Sequence, residues 1–262
     1  SKMYLGLGPH IQHLDDAVKA WVLRARPAII KVLEPDNVDF WQDCKRQWAP
    51  LIIGRRPDLA ESIDWASPER SADEASQLVL EWAEIAPHVD IWEGRNEVII
   101  NDAIPGTERE KARAYTRHEI RFAENLRDYG KRASLFQFSA GNPYTLELWR
   151  DILWEAPAQT HCPINLHAYS QPTMQSAADW LTLRHRKVWD LLPQQAWTGI
   201  IISECGIDGG IWTHGLPEPR LRVGWQGYCS EAEYLAQLRW FDSELQKDDY
   251  IVGATIFNAG GI

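Results

Sequence analysis

Long apolar runs are missing from this 262-residue chain. None approaches the roughly 20 consecutive apolar residues that cross a bilayer, so no membrane partner is expected. Positive charge is scarce too: 27 lysines and arginines face 37 acids, a formal net charge of −10. That balance argues against nucleic acid as a partner, because phosphate binding relies on clustered Lys and Arg to release counterions. A neutral or cationic ligand fits better. The four cysteines, Cys44, Cys162, Cys205 and Cys229, make no C-x-x-C spacing, which leaves a zinc ribbon or a thioredoxin-like motif unsupported and buried free thiols as the default. The opening SKMYLGLG has no charged region leading into a long apolar stretch, so no signal peptide is expected there, and the compartment is left unassigned. Its first turn, GLGPHIQ, sets Pro9 where a G-x-G-x-x-G fingerprint would continue, so nucleotide binding is unsupported.

What the chain does have is an ordinary globular balance, 45% hydrophobic and 24% charged, and an unusual 14 tryptophans. Indole rings bury large areas in cores, where most of these are expected, and their flat faces also suit sugar rings. Short runs rich in Ile, Val and Leu alternate with longer helical patterns. The strand runs cover 3–8, 28–34, 50–56, 88–94, 133–139, 163–169, 199–206 and 250–258. Helical patterns lie between them at 15–26, 38–48, 71–86, 107–129, 145–155, 174–192 and 230–247. Ser71 with Glu74, and Ser230 with Glu233, have capping-box spacing. Eight strands and seven helices predict an α/β chain folded as one (β/α)8 TIM barrel over residues 1–262. A helix after strand eight is not among them, and the ending FNAGGI suits a longer natural chain with additional domains.

In such a barrel the chemistry gathers at the carboxyl ends of the strands. Walking that rim gives His10, Glu34, Arg55 and Arg56, Asn96 and Glu97, Asn142, His167 and Tyr169, Glu204, and Asn258. Glu97 follows strand four in WEGRNE, and Glu204 is expected at the end of strand seven in GIIIS-E. A carboxylate at the mouth of a dry strand loses hydration, a cost that function justifies. Three βα units separate the two, so they should face each other. At about 5–5.5 Å such a pair can carry out double displacement at a sugar carbon. Asn96 is placed to bond a substrate hydroxyl, and Arg55 or Arg56, with His167 and Tyr169, to hold Glu204 as an anion. Glu93 competes with Glu97, since strand alternation gives both the same facing unless Gly94 forms a bulge. The bland alternatives are a surface pair of Glu97 with Arg95 or Arg113, a structural Glu204, and a satisfied core His167.

The segment 206–229 is long for a βα connection and holds Trp212, His214, Trp225 and Tyr228. It reads as a lid or subsite wall that stacks on sugars, or as a loop packed by its own aromatics. His10 and His13 form H-x-x-H without the flanking ligands of a barrel metal site, so no metal is expected.

These stretches together resemble glycoside hydrolase clan A. WEGRNE is similar to that clan's strand-four motif, ISECGID to its strand-seven motif, and LHAYS to the His-x-Tyr ending strand six. The resemblance implies a retaining O-glycosyl hydrolase for β-linked sugars, with no cofactor and a carbohydrate as partner. It implies Glu97 as acid/base, Glu204 as nucleophile, Asn96 as ligand of the sugar 2-hydroxyl, and His167 and Tyr169 as orienting and subsite residues. Two positions depart from the pattern: Phe257-Asn258 stands where a tryptophan platform is usual, and Lys31 and Glu34 where an arginine is expected near the end of strand two. A carbohydrate-binding barrel without turnover and a metal-dependent barrel hydrolase are the alternatives.

Overall fold

A computed structural model describes residues 3–101, 107–193 and 198–259; Ser1, Lys2 and the end of FNAGGI lie outside them. Eight strands follow one another: β1 (Leu7–Ile11), β2 (Ile29–Val32), β3 (Leu51–Gly54), β4 (Ile91–Trp92), β5 (Leu135–Phe138), β6 (Ile164–Ser170), β7 (Ile200–Ile207) and β8 (Ile251–Ala259). All pair in parallel in the order β4-β3-β2-β1-β8-β7-β6-β5. The two edges meet where Trp92 N–H donates to Arg132 O at 2.8 Å and Ser134 N–H to Trp92 O at 3.0 Å, which closes the cylinder. The helices are α1 (Asp16–Ala25), α2 (Val38–Trp48), α3 (Pro68–Ile85), α4 (Thr107–Asp128), α5 (Glu155–Thr160), α6 (His185–Leu191) and α7 (Glu231–Gln246). None of the described helices is long and apolar enough to cross a membrane.

Strand alternation divides each apolar run between two cores. Ile30, Val32, Ile52, Trp92, Ile200 and Ile202 join the large core between sheet and helices. Ile29, Ile53, Ile91 and Ile201 form a separate cluster inside the cylinder. This is why the strands read as continuous apolar runs rather than alternating ones. Gly8 is needed where β1 passes β2, since a Cβ there would lie 1.7 Å from Ile29 O.

Four expectations are corrected. β1 starts and ends later than 3–8: Gly6, at φ 78°, interrupts the early stretch, and the strand runs through Pro9 to include His10. Ser71 does not cap a helix, because α3 already starts at Pro68; its Oγ instead accepts from Asp64 N–H at 2.9 Å. The 145–155 pattern resolves into a π-helical turn, Trp149–Leu153, followed by α5, with Pro157 in its first turn. Only the end of the 174–192 pattern is helical. Ahead of it, Thr182 Oγ1 donates to Met174 O and Ser176 Oγ accepts from Thr173 N–H, local bonds that compete with the helical ladder. The Ser230–Glu233 capping box forms as expected.

Candidate active site

The charged rim begins two residues above the apolar cluster. Lys31 follows Ile29, Arg55 follows Ile53, Glu93 follows Ile91 and Ser203 follows Ile201, so the same alternation that buries isoleucine below brings charge inside above. Strand β7 departs from this rhythm. Leu166 pairs with Ile202 but His167 pairs with Glu204, so Ser203 is an extra residue opposite β6. A bulge of this kind re-aims the side chain that follows it. Ser203 and Glu204 therefore both reach interior partners, which a regular strand would not allow for neighbours. Glu204 accordingly lies within β7, which continues to Ile207, rather than at its end as the sequence suggested.

Glu97 is held by the segment after β4. The buried Arg95 guanidinium bolts this segment to its surroundings, donating to Ala60 O at 3.0 Å, Ser71 O at 2.8 Å and His118 Nε2 at 3.2 Å. Glu97 N–H donates to Gln137 O at 3.0 Å. Its φ is 47°, left-handed for a residue with a Cβ, which costs about 1–3 kcal/mol and is typical of functional positions. The Glu97 carboxylate shares a 2.7 Å hydrogen bond with His167 Nδ1 and keeps about a third of its side chain exposed. Arg95 is thus not its ion partner, and Arg113 instead lines an outer groove beside Glu69 and Arg117.

Glu204 is almost fully enclosed. Tyr169 Oη donates to Oε1 at 2.7 Å, while Oε2 accepts from Arg55 Nη1 at 2.6 Å and from Lys31 Nζ at 3.3 Å. His167 Nε2 and His10 Nε2 stand 3.6 and 3.8 Å from the same oxygen. Burial works to raise the carboxyl pKa, but the basic groups around it, His167, Lys31 and Arg55 among them, outweigh burial and hold Glu204 well below the usual carboxylate range. Burial, reinforced by Glu204, pushes the Tyr169 phenol well above its ordinary value, so it remains a donor. Burial, with Lys31 adding, lowers the His10 imidazole far below its ordinary value, so His10 is neutral.

Atoms of Glu97, His167 and Glu204 lie within 4.8 Å of one another, so the two carboxylates approach to that distance. The same spacing could suit a cation, but the donor set does not fit one. Lys31 and Arg55 already crowd Glu204 and would repel a metal ion. His13 does not join His10 either; it pairs with Glu34 at 2.6 Å on the surface.

The remaining expected residues divide. Asn96 accepts from Arg55 Nη1 at 2.7 Å and donates to Glu61 at 3.1 Å, so it joins the site through Arg55. Arg56 turns away to Asp58 and Glu81. Asn142 bonds Ser139 and Asn101, apart from the glutamates. His10 is fully buried, packs on Phe257 with ring centroids 4.9 Å apart, and faces Glu204 at 3.8 Å. Trp225 and Asn258 line a cleft of about 500 Å³ with Tyr169, Asp208, Arg222 and Phe257. Trp225 also stacks on Tyr234 of α7 at 5.1 Å, so one ring serves both the loop's own packing and the cleft. Trp212 stands exposed on the same loop, outside that lining. Sequence reasoning noticed Lys31 only as a departure and Glu93 only as a competitor, and it passed over Ser203. The two-residue step above each interior isoleucine was the signal that would have found all three.

Neither a protein-family model nor a curated protein matches the chain by sequence. Solved structures do match its fold. A β-glucuronidase of Bifidobacterium dentium, complexed with coumarin-3-O-glucuronide, superposes with TM-score 0.63 at 13% identity, covering 98% of this chain and 40% of its own. A GH2 β-galacturonidase of Eisenbergiella tayi bound to galacturonate gives TM-score 0.59 at 15% identity, covering 98% and 43%. β-Glucuronidase 2 of Bacteroides uniformis, covalently bound to cyclophellitol-6-carboxylate aziridine, gives 0.56 at 14%, covering 97% and 30%. The chain thus spans less than half the length of these proteins, and at this identity the likeness is one of fold: the α/β barrel of GH2 proteins.

Proposed function

We propose that the chain is a retaining glycoside hydrolase acting on β-linked sugars, with Glu204 as nucleophile and Glu97 as acid/base. The observation that carries this reading is the approach of the two carboxylates to within 4.8 Å in unlike surroundings. That spacing belongs to double displacement, whereas inversion needs room for a water between the groups. Glu204, ionised and oriented by Tyr169 and Arg55, attacks the anomeric carbon as the bond to the leaving oxygen breaks. Glu97, steadied by His167 and partly exposed, gives its proton to that oxygen. Glu97 then takes a proton from water, which attacks the anomeric carbon and frees Glu204. Arg55 ties Asn96 to the nucleophile, so a sugar hydroxyl bonded by Asn96 would be registered against the reacting carbon.

The test is an assay on activated aryl β-glycosides, including glucosides, galactosides and the uronides that the structural neighbours bind. Hydrolysis is expected with retention of anomeric configuration, followed by NMR. Glu97→Gln should lower kcat/KM by roughly 10²–10⁴-fold, as loss of a general acid/base does. Inverted product, or an unchanged Glu97→Gln, would reject the assignment. Binding without turnover across the panel would favour the carbohydrate-binding barrel.

A further inference from the structure

Beneath the two glutamates lies a third carboxylate that this mechanism does not use. Glu93 is fully buried, with Lys31 Nζ at 2.8 Å and Ser203 Oγ at 3.2 Å. Lys31 is fully buried as well. Its ammonium reaches Glu93, Ser203 and Glu204, one acceptor for each of its three protons. It lies closer to Glu93, at 2.8 Å, than to Glu204, at 3.3 Å. In a low-dielectric interior, a cation shared between two carboxylates binds each less completely than it would bind one alone.

We propose that Glu93 and Lys31 are a buried pair of positioning residues, in which Glu93 draws Lys31 back from Glu204 and so sets how much positive charge the nucleophile feels. The inference rests on the reading of Glu204 as nucleophile. Glu204 is faced by His10 from β1, Lys31 from β2, Arg55 beyond β3, Glu93 and Glu97 from the β4 segment, and His167 and Tyr169 from β6. Arg55 divides its donation between Glu204 and the neutral Asn96, and His10 is neutral. Lys31 differs from both, since a buried acid stands 2.8 Å from its ammonium. Without Glu93 the whole ammonium would turn to Glu204, and without Lys31, Arg55 alone would offset two buried carboxylates.

The two single substitutions therefore have opposite signs. Glu93→Gln should move the acid limb of the kcat/KM profile to lower pH by about one unit, and Lys31→Met should move it up by about one to two units. The double variant should return close to the parent. A merely structural role would lower stability or activity without opposite shifts and without compensation. The ionisation of Glu204 is also read without turnover, from carboxyl resonances of ¹³C-glutamate-labelled protein, with Glu204→Gln identifying the signal. If the parent hydrolyses no glycoside, opposite and compensating NMR shifts still support the pair while the hydrolase reading fails. Coincident titrations in parent, Glu93→Gln and the double variant overturn the pair, whether or not the protein is active. If Lys31→Met does not fold, those two variants decide the matter.

Discussion

Inside the cylinder, Ile29, Ile53, Ile91 and Ile201 lie two residues below Lys31, Arg55, Glu93 and Ser203, and the two levels obey opposite rules. The lower level is dry and apolar, and needs nothing beyond close packing. The upper level is comparably enclosed yet filled with charge, and Lys31, Arg55, Glu93, Ser203, Tyr169 and Glu204 are all hydrogen-bonded there. Burial alone does not decide which groups an interior accepts. What separates the levels is charge pairing, which holds above even though Arg55 Nε, Glu93 Oε2 and both ring nitrogens of the neutral His10 make no hydrogen bond, because a buried charge without partners costs several kcal/mol and a paired one far less.

The sharpest way to test that division is to remove one group from each level and read activity and stability separately. With Glu204 as the nucleophile proposed above, Glu204→Ala should abolish turnover, by a factor on the order of 10⁶, in a protein that circular dichroism still finds folded. Retained activity would dissolve the division by taking chemistry out of the upper level. Ile201→Ala should do the reverse. A cavity at that position is expected to cost about 2–5 kcal/mol in urea unfolding, with activity per folded molecule little changed. The smallest effect concerns His88, buried just ahead of β4 at the opposite end of the barrel, where neither ring nitrogen has a hydrogen-bond partner among the described residues. Burial, with Lys45 adding, depresses its pKa from 6.5 to about 4. The folded state therefore binds this proton less readily than the unfolded chain. Stability is fully present above about pH 6.5 and declines as pH falls from there toward 4, where protonation of the folded form levels the loss. His88→Phe should flatten the thermal-unfolding midpoint across that window. An unchanged slope would mean that the end away from the rim accommodates charge as well as the rim does.

Much of this was legible in the chain. The eight strand runs were placed to within a few residues because Ile- and Val-rich segments between capped helices have few other solutions. Glu97, Glu204, His167, Tyr169 and Arg55 do converge, since rim position follows from strand order. Three things were harder to read. The first strand was expected over 3–8, whereas Pro's fixed φ suits an extended chain and the strand runs past Pro9 to Ile11. Lys31 and Glu93 were judged as single residues, and only the spatial neighbourhood makes them partners. Trp212 was weighed for its ring alone, and a loop's course is not encoded in the identity of one aromatic.

The additional residue in β7 has a final implication. Were β7 regular with Ser203 retained, Ser203 would take the place opposite His167, and the acid now aimed at the mouth would swing toward the helical shell. The aim of this acid thus hinges on a slip of register between two neighbouring staves as much as on which acids the chain contains.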